Sequence, residues 1–262
     1  MIIKYNNSDV LHYYDSFSEI TNFTNITYLY ISGQYPVYMD ENDSLFDFLK
    51  LFIVLQEFYC FHNQLSVLPE LPNSLQILIC RNNQLSVLPE LPNSLQKLGC
   101  SHNQLSVLPE LPNSLKELYC RNNKLTILPK LPDKLNELDC GDNLLTKLPK
   151  LPESLTIINC RKNQLISLPK LPDLLEELYC NDNQLTSLPK FPESIQVVEC
   201  HNNQLIKLPE IPYDTIDILH CYNNKLSSFP NFRYIEWFEF DNNNLIEKNK
   251  YKYLRKIIYN FY

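Results

Sequence analysis

The sequence predicts a right-handed solenoid in which short parallel β-strands form a sheet on the concave face and an extended or polyproline-like path returns along the convex side. Three observations carry this expectation. Nine cysteines stand at 60, 80, 100, 120, 140, 160, 180, 200 and 221, and self-similarity at a fixed period marks a repeat architecture. Aligned on that period, the unit reads LxxLxCxxNxLxxLPxLPxS, as in Leu75 to Ser94. Finally, 20 residues are too few for a strand, two turns and a full helix, and the two prolines of LPxLP would each break a helix interior.

Along the chain, residues 1–54 show the unit only faintly, through Ile26, Leu29 and Ile31, and through Leu45, Phe48 and Leu51 at the offset of the repeat that follows. An N-terminal cap is expected there, with a helix between Ser44 and Phe58. The start, MIIKYNNSDVLHYYDSF, has neither a sustained apolar core nor a small-residue cleavage site, so no signal peptide is expected. The longest strongly apolar stretch, around Leu49 to Leu55, is far short of the roughly 20 residues that span a bilayer.

Ten repeats then run over 55–245. Leu78 and Cys80 alternate with Ile77, Ile79 and Arg81, the period of a half-buried strand. Asn63, Asn83, Asn103 and their successors lie just past the strand, where a buried amide ladder would satisfy backbone groups left unpaired by the turn. One extra residue precedes Ile216, the next interval is one residue short, and Phe240 takes the place of the cysteine in the last copy. In 246–262, Leu254, Ile257, Ile258 and Phe261 share one helical face opposite basic residues, as a C-terminal capping helix would require.

The motif LxxLxCxxNxL resembles the leucine-rich repeat, and its LPxLP return resembles the 20-residue subclass of bacterial effectors of the YopM and IpaH type, over residues 55–245. The composition, with 30 Asn and no alanine, resembles that of repeat proteins encoded by amoeba-infecting giant viruses. The effector resemblance implies a leucine-rich-repeat solenoid acting as an adaptor directed at a host. Effectors of the IpaH type also carry a separate catalytic domain with a Cys-x-Asp nucleophile. Here Cys140-Gly141-Asp142 and Cys180-Asn181-Asp182 match those letters, but both cysteines belong to the ladder expected to be buried, and only 17 residues follow Leu245.

Charge and side-chain chemistry narrow the function further. A net charge of −7 and a pI near 5.3 disfavour nucleic acid and anionic membrane as partners. A straight cysteine column offers no tetrahedral convergence for zinc. Strands about 4.8 Å apart also hold the thiols farther apart than the roughly 3.8 Å between Cβ atoms of a disulfide. The cysteines read as small buried hydrophobes, and reduced thiols fit an intracellular, cytoplasmic setting, the host cytoplasm for an effector. The five histidines, at 12, 62, 102, 201 and 220, show no convergent acid or nucleophile along the chain and read as surface residues. No enzyme activity, catalytic residue, metal or cofactor is expected.

Comparing repeats with one another separates a constant framework from variable columns. The positions flanking each cysteine change freely, and with the position two before them they share one sheet face. The candidate partner-binding residues on that face are Tyr59, Phe61, Ile79, Arg81, Tyr119, Arg121, Asp139, Arg161, Tyr179, His220, Tyr222 and Trp237, of types that anchor interfaces. Arg81, Lys97, Arg121, Arg161 and Lys162 make the earlier part basic, whereas Glu177, Asp182, Glu199, Glu236, Glu239 and Asp241 make the later part acidic. A second stripe on the return reads Glu70, Glu90, Glu110, then Lys130, Lys150, Lys170, Lys190, then Glu210, a pattern that repeat duplication explains. The function expected is a non-catalytic protein–protein interaction module. The alternatives are a self-assembling structural repeat protein and, behind it, a targeting subunit of an enzyme complex.

Overall fold

Each repeat contributes one three-residue strand, because only the residues before the cysteine alternate into and out of the core. The computed structural model describes residues 2–5, 11–13, 20, 23–31, 49, 51–212, 216–232 and 235–246. The chain divides into two compact units, Met1–Leu125 and Thr126–Tyr262.

The first unit contains β1 (Ile2–Tyr5), β2 (Leu11–Tyr13), β3 (Ile26–Tyr30), β4 (Glu57–Tyr59), β5 (Ile77–Ile79), β6 (Lys97–Gly99) and β7 (Glu117–Tyr119). β1 pairs antiparallel with both β2 and β3. From β3 onward pairing is parallel and advances one repeat at a time, with Leu29 opposite Phe58, Phe58 opposite Leu78, Leu78 opposite Leu98 and Leu98 opposite Leu118.

The second unit contains β8 (Glu137–Asp139), β9 (Ile157–Asn159), β10 (Glu177–Tyr179), β11 (Val197–Glu199), β12 (Ile218–His220) and β13 (Trp237–Glu239), all parallel. The extra residue before Ile216 leaves the register intact, since Val198 still faces Leu219. Parallel strands joined by crossovers wind right-handed, so each unit is a right-handed β-solenoid with its parallel sheet on the concave side.

The framework columns form the core. Leu75, Leu78, Cys80 and Leu85 of one repeat are fully buried, as are Leu175, Leu178, Cys180 and Leu185 of another, each leucine contributing about 1.5–3 kcal/mol of transfer free energy. The return segment has neither helix nor strand. It closes through a tight turn in which the Leu75 N–H donates to Pro72 O (3.1 Å) and Leu155 N–H to Pro152 O (3.2 Å). The serine ending LPxLPxS locks that turn to the preceding repeat: Ser94 Oγ donates to Leu75 O at 2.6 Å, and Ser194 Oγ to Leu175 O at 2.7 Å.

The expected asparagine ladder is present in both units. Asn83 Nδ2 donates to Cys60 O at 2.8 Å and Cys80 O at 3.0 Å, while its Oδ1 accepts the Leu65 N–H at 3.0 Å. Asn163 does the same with Cys140 O and Cys160 O, both at 3.1 Å, and the Leu145 N–H at 2.9 Å. One amide therefore joins two successive repeats at the point where each strand ends. Just before it, the residue two past the cysteine is left-handed in every described repeat, with φ of 50–56° from His62 to Asn242. Asn, Asp and His tolerate that conformation best among residues with a side chain, and Lys162 is the exception that bears its strain.

Two expectations for the ends need revision. Residues 51–56 are turn and irregular backbone and 57–59 are strand, so no helix runs to Phe58. Leu51 is exposed, whereas Leu49, Phe52 and Leu55 are fully buried, one position out of phase with the spacing read from the sequence. Leu45, Phe48 and, apart from the turn residue Ile246, the helix expected over 246–262 lie outside the described residues.

Candidate functional site

Because the middle residue of each strand points into the core, its two neighbours and the residue after the cysteine point away from it. In the first unit this face carries Tyr59, Phe61, Ile79, Arg81, Tyr119 and Arg121, all half-buried except Arg81, which is exposed. The tyrosines are held by carboxylates two residues earlier on the same strand: Tyr59 Oη donates to Glu57 Oε2 and Tyr119 Oη to Glu117 Oε2, both at 2.9 Å. Burial, then the bond to Glu57, pushes the Tyr59 phenol up. Lys97 Nζ lies 2.6 Å from Glu117 Oε2 and 5.2 Å from the Tyr119 ring centroid. Burial raises the Glu117 carboxyl, but the bonds from Lys97 and Tyr119 outweigh it, so it titrates low. Arg81 lies 5.0 Å from the Phe61 centroid, and Tyr30 meets Phe61 edge-on at 5.2 Å. The result is an aromatic surface with fixed rings and its cations set over them.

The second unit places Asp139, Arg161, Tyr179, His220, Tyr222 and Trp237 on the corresponding face, with Trp237 51% exposed. Tyr179 Oη donates to Glu177 Oε2 at 2.7 Å, and Trp237 Nε1 donates to Glu239 Oε1 at 3.2 Å. His201 stacks on Tyr222 with centroids 4.3 Å apart and planes 13° apart, while His220 meets Trp237 edge-on at 5.9 Å.

One expectation is overturned on this face. His201 and His220 are not isolated surface histidines, because Glu199, His201 and His220 each present a ligand atom within 4.8 Å of the others. Parallel register sets Glu199 opposite His220, and the two-residue period sets His201 on the same side as Glu199. The signal lay in adjacent members of two columns; no motif along the chain holds it. His220 Nδ1, 3.7 Å from Glu199 Oε1, together with opposing burial, leaves the Glu199 carboxyl below its ordinary range. Burial likewise lowers the His201 imidazole.

The thiols are chemically quiet. All nine are buried and unbridged, and burial pushes Cys100, Cys160 and Cys200 up to about 12 and Cys140 and Cys180 well above the ordinary thiol. Neither Cys-x-Asp letter match therefore supplies a thiolate nucleophile.

No protein-family model matches the chain, and no curated protein matches it. Solved structures do. YopM from Yersinia enterocolitica WA-314 is 31% identical, over 74% of this chain and 52% of that one, with a TM-score of 0.56. The leucine-rich-repeat domain of a Shigella effector is 41% identical, over 55% of this chain and 67% of that one, with a TM-score of 0.52. A leucine-rich repeat protein from Bacteroides eggerthii DSM 20697 shares the fold at 18% identity, over 80% of this chain and 42% of that one, with a TM-score of 0.53. The chain thus spans about half the length of the YopM chain. It belongs to the leucine-rich-repeat solenoids and is related to the folds of the bacterial leucine-rich-repeat effectors.

Proposed function

We propose that this chain is a protein-binding module that takes its partner on the sheet faces of its repeats. The observation that carries this reading is the division of labour within each repeat. Leucines, cysteines and the asparagine repeat because they hold the core, while the strand-face residues vary from copy to copy and include Tyr, Trp and Arg, types enriched at interface centres. The rings are already fixed by Glu57, Glu117 and Lys97, so little side-chain freedom is lost on binding. A protein partner fits better than nucleic acid on a chain of net charge −7. Among the described residues no helix is long and apolar enough to cross a membrane.

Likeness to YopM and the Shigella effector supports a host-directed effector or adaptor of the LPxLP subclass. The nine reduced thiols support an intracellular setting, and the alanine-free, asparagine-rich composition supports a giant-virus origin. Caps over 1–54 and 246–262 around repeats at 55–245 complete it. A second reading, self-assembly, is favoured by Val67, Val87 and Val107, which form an exposed apolar stripe on the first unit.

Affinity capture from lysate of a host cell tests the binding proposal, with wild type run beside Tyr119→Ala/Arg121→Glu. A protein held by wild type and lost by the double variant, at an unchanged thermal midpoint, is the expected result. Equal capture by both would remove the sheet face from the account, and a mass that grows with concentration in light scattering would put self-assembly in its place.

A further inference from the structure

The cluster of Glu199, His201 and His220 has the makings of a ligand site, independent of the protein-binding reading. Its three ligand atoms lie within 4.8 Å of one another, and His220 Nδ1 is already 3.7 Å from Glu199 Oε1. A tetrahedral ion with bonds of about 2.0–2.1 Å needs ligand atoms about 3.3 Å apart, a closure of up to about 1.5 Å that χ rotations of the three side chains supply. Each histidine also has a ring nitrogen without a hydrogen-bond partner, on His220 the one other than the Nδ1 that faces Glu199. His201 is only 9% exposed, yet its Nδ1 has no hydrogen-bond partner, and neither does Nε2 of His220. Buried polar atoms normally find a partner, so a nine-tenths buried imidazole nitrogen with none, beside a second imidazole and a carboxylate, is a coordination-ready group.

The surroundings hold the ligands in place. Tyr222 stacks on His201 and Trp237 meets His220 edge-on, fixing both rings much as outer-shell partners orient metal-bound histidines. Asp182 and Glu239 add negative charge that acts on His201, and Arg161 offsets part of it at Glu199. Two imidazole nitrogens and one carboxylate oxygen suit borderline divalent ions, whereas calcium and magnesium take oxygen ligands. Three protein ligands leave a coordination position open, and the Glu199 and His220 side chains, 25% and 17% exposed, reach solvent on the display face.

The geometry points to a divalent transition-metal site on the sheet face of the second unit, in which Glu199, His201 and His220 bind an ion of the zinc class. Cobalt titration of the full chain, first stripped with a chelator and desalted, tests it by absorption spectroscopy with zinc as competitor. One equivalent of Co2+ is expected to bind with the d–d spectrum of nitrogen and oxygen ligands and to be displaced by Zn2+. Glu199→Gln, His201→Gln and His220→Gln should each weaken binding by on the order of tenfold or more, while His62→Asn/His102→Asn leaves it unchanged. Circular dichroism of the metal-free variants guards against misfolding; if His201→Gln loosens the stack on Tyr222, Glu199→Gln and His220→Gln still decide the matter. Absence of a saturable band, equal affinity in the folded variants, or a thiolate-to-cobalt charge-transfer band, which would place the ion on the cysteines, overturns the assignment.

Discussion

At the scale of single residues, the side chain with most at stake is the ladder asparagine. Asn163 satisfies the Leu145 N–H and three carbonyls, those of Cys140, Cys160 and Arg161. Asn163→Ala strands the Leu145 N–H in the core, while Cys140 O, Cys160 O and Arg161 O keep the Asn143 amide, the Asn183 amide and the Asp142 N–H as donors; a buried unsatisfied group costs about 1–3 kcal/mol. A loss of about 1–3 kcal/mol is therefore expected in urea denaturation, and a loss under about 1 kcal/mol would show that water or backbone movement replaces the amide. The ladder was legible because it recurs at a fixed offset from the cysteine. The left-handed residue beside it was not, although Asn82 and Asn83 perform different tasks one position apart. In a chain with 30 asparagines, an asparagine carries little information by itself, and only backbone geometry separates the one chosen for its φ from the one chosen for its amide.

Among the elements, the stacked strands turn nine thiols into a collective titration. The ordinary thiol value is 9.0, while burial holds Cys100, Cys160 and Cys200 protonated up to about 12. Above about pH 9 the unfolded chain therefore binds fewer protons than the native one, and stability falls as pH rises; below that value the thiols add no pH dependence. The urea midpoint should be flat from about pH 7 to 8.5 and drop steadily toward pH 10.5, with the raised phenols of Tyr59 and Tyr179 adding in the same direction. A midpoint unchanged across that range would mean the cysteine column is not dry. The strands themselves were readable from the alternation around each cysteine. The segment before Leu55 was not, because Phe46, Phe48, Leu49, Leu51, Phe52 and Ile53 offer apolar spacing in more than one phase. The phase that wins is set by pairing of β4 with β3, a tertiary constraint that local periodicity does not contain.

For the molecule as a whole, the binding proposal assigns fold and function to different columns of the same repeat. That division could be read from the sequence alone, since the repeats serve as one another's alignment. The Glu199–His201–His220 cluster escaped the same reading because its members stand in two different columns of successive repeats, which parallel register brings together. The most direct test is a paired readout, urea midpoint and partner capture, on a chain with Tyr119, Arg121, Arg161 and Tyr179 all replaced by serine. The expected result is a stability within about 0.5 kcal/mol per replaced residue of wild type, together with loss of the captured protein. A chain that unfolds, or one that folds and still captures its partner, would contradict the claim that these columns are free of the fold and carry the binding.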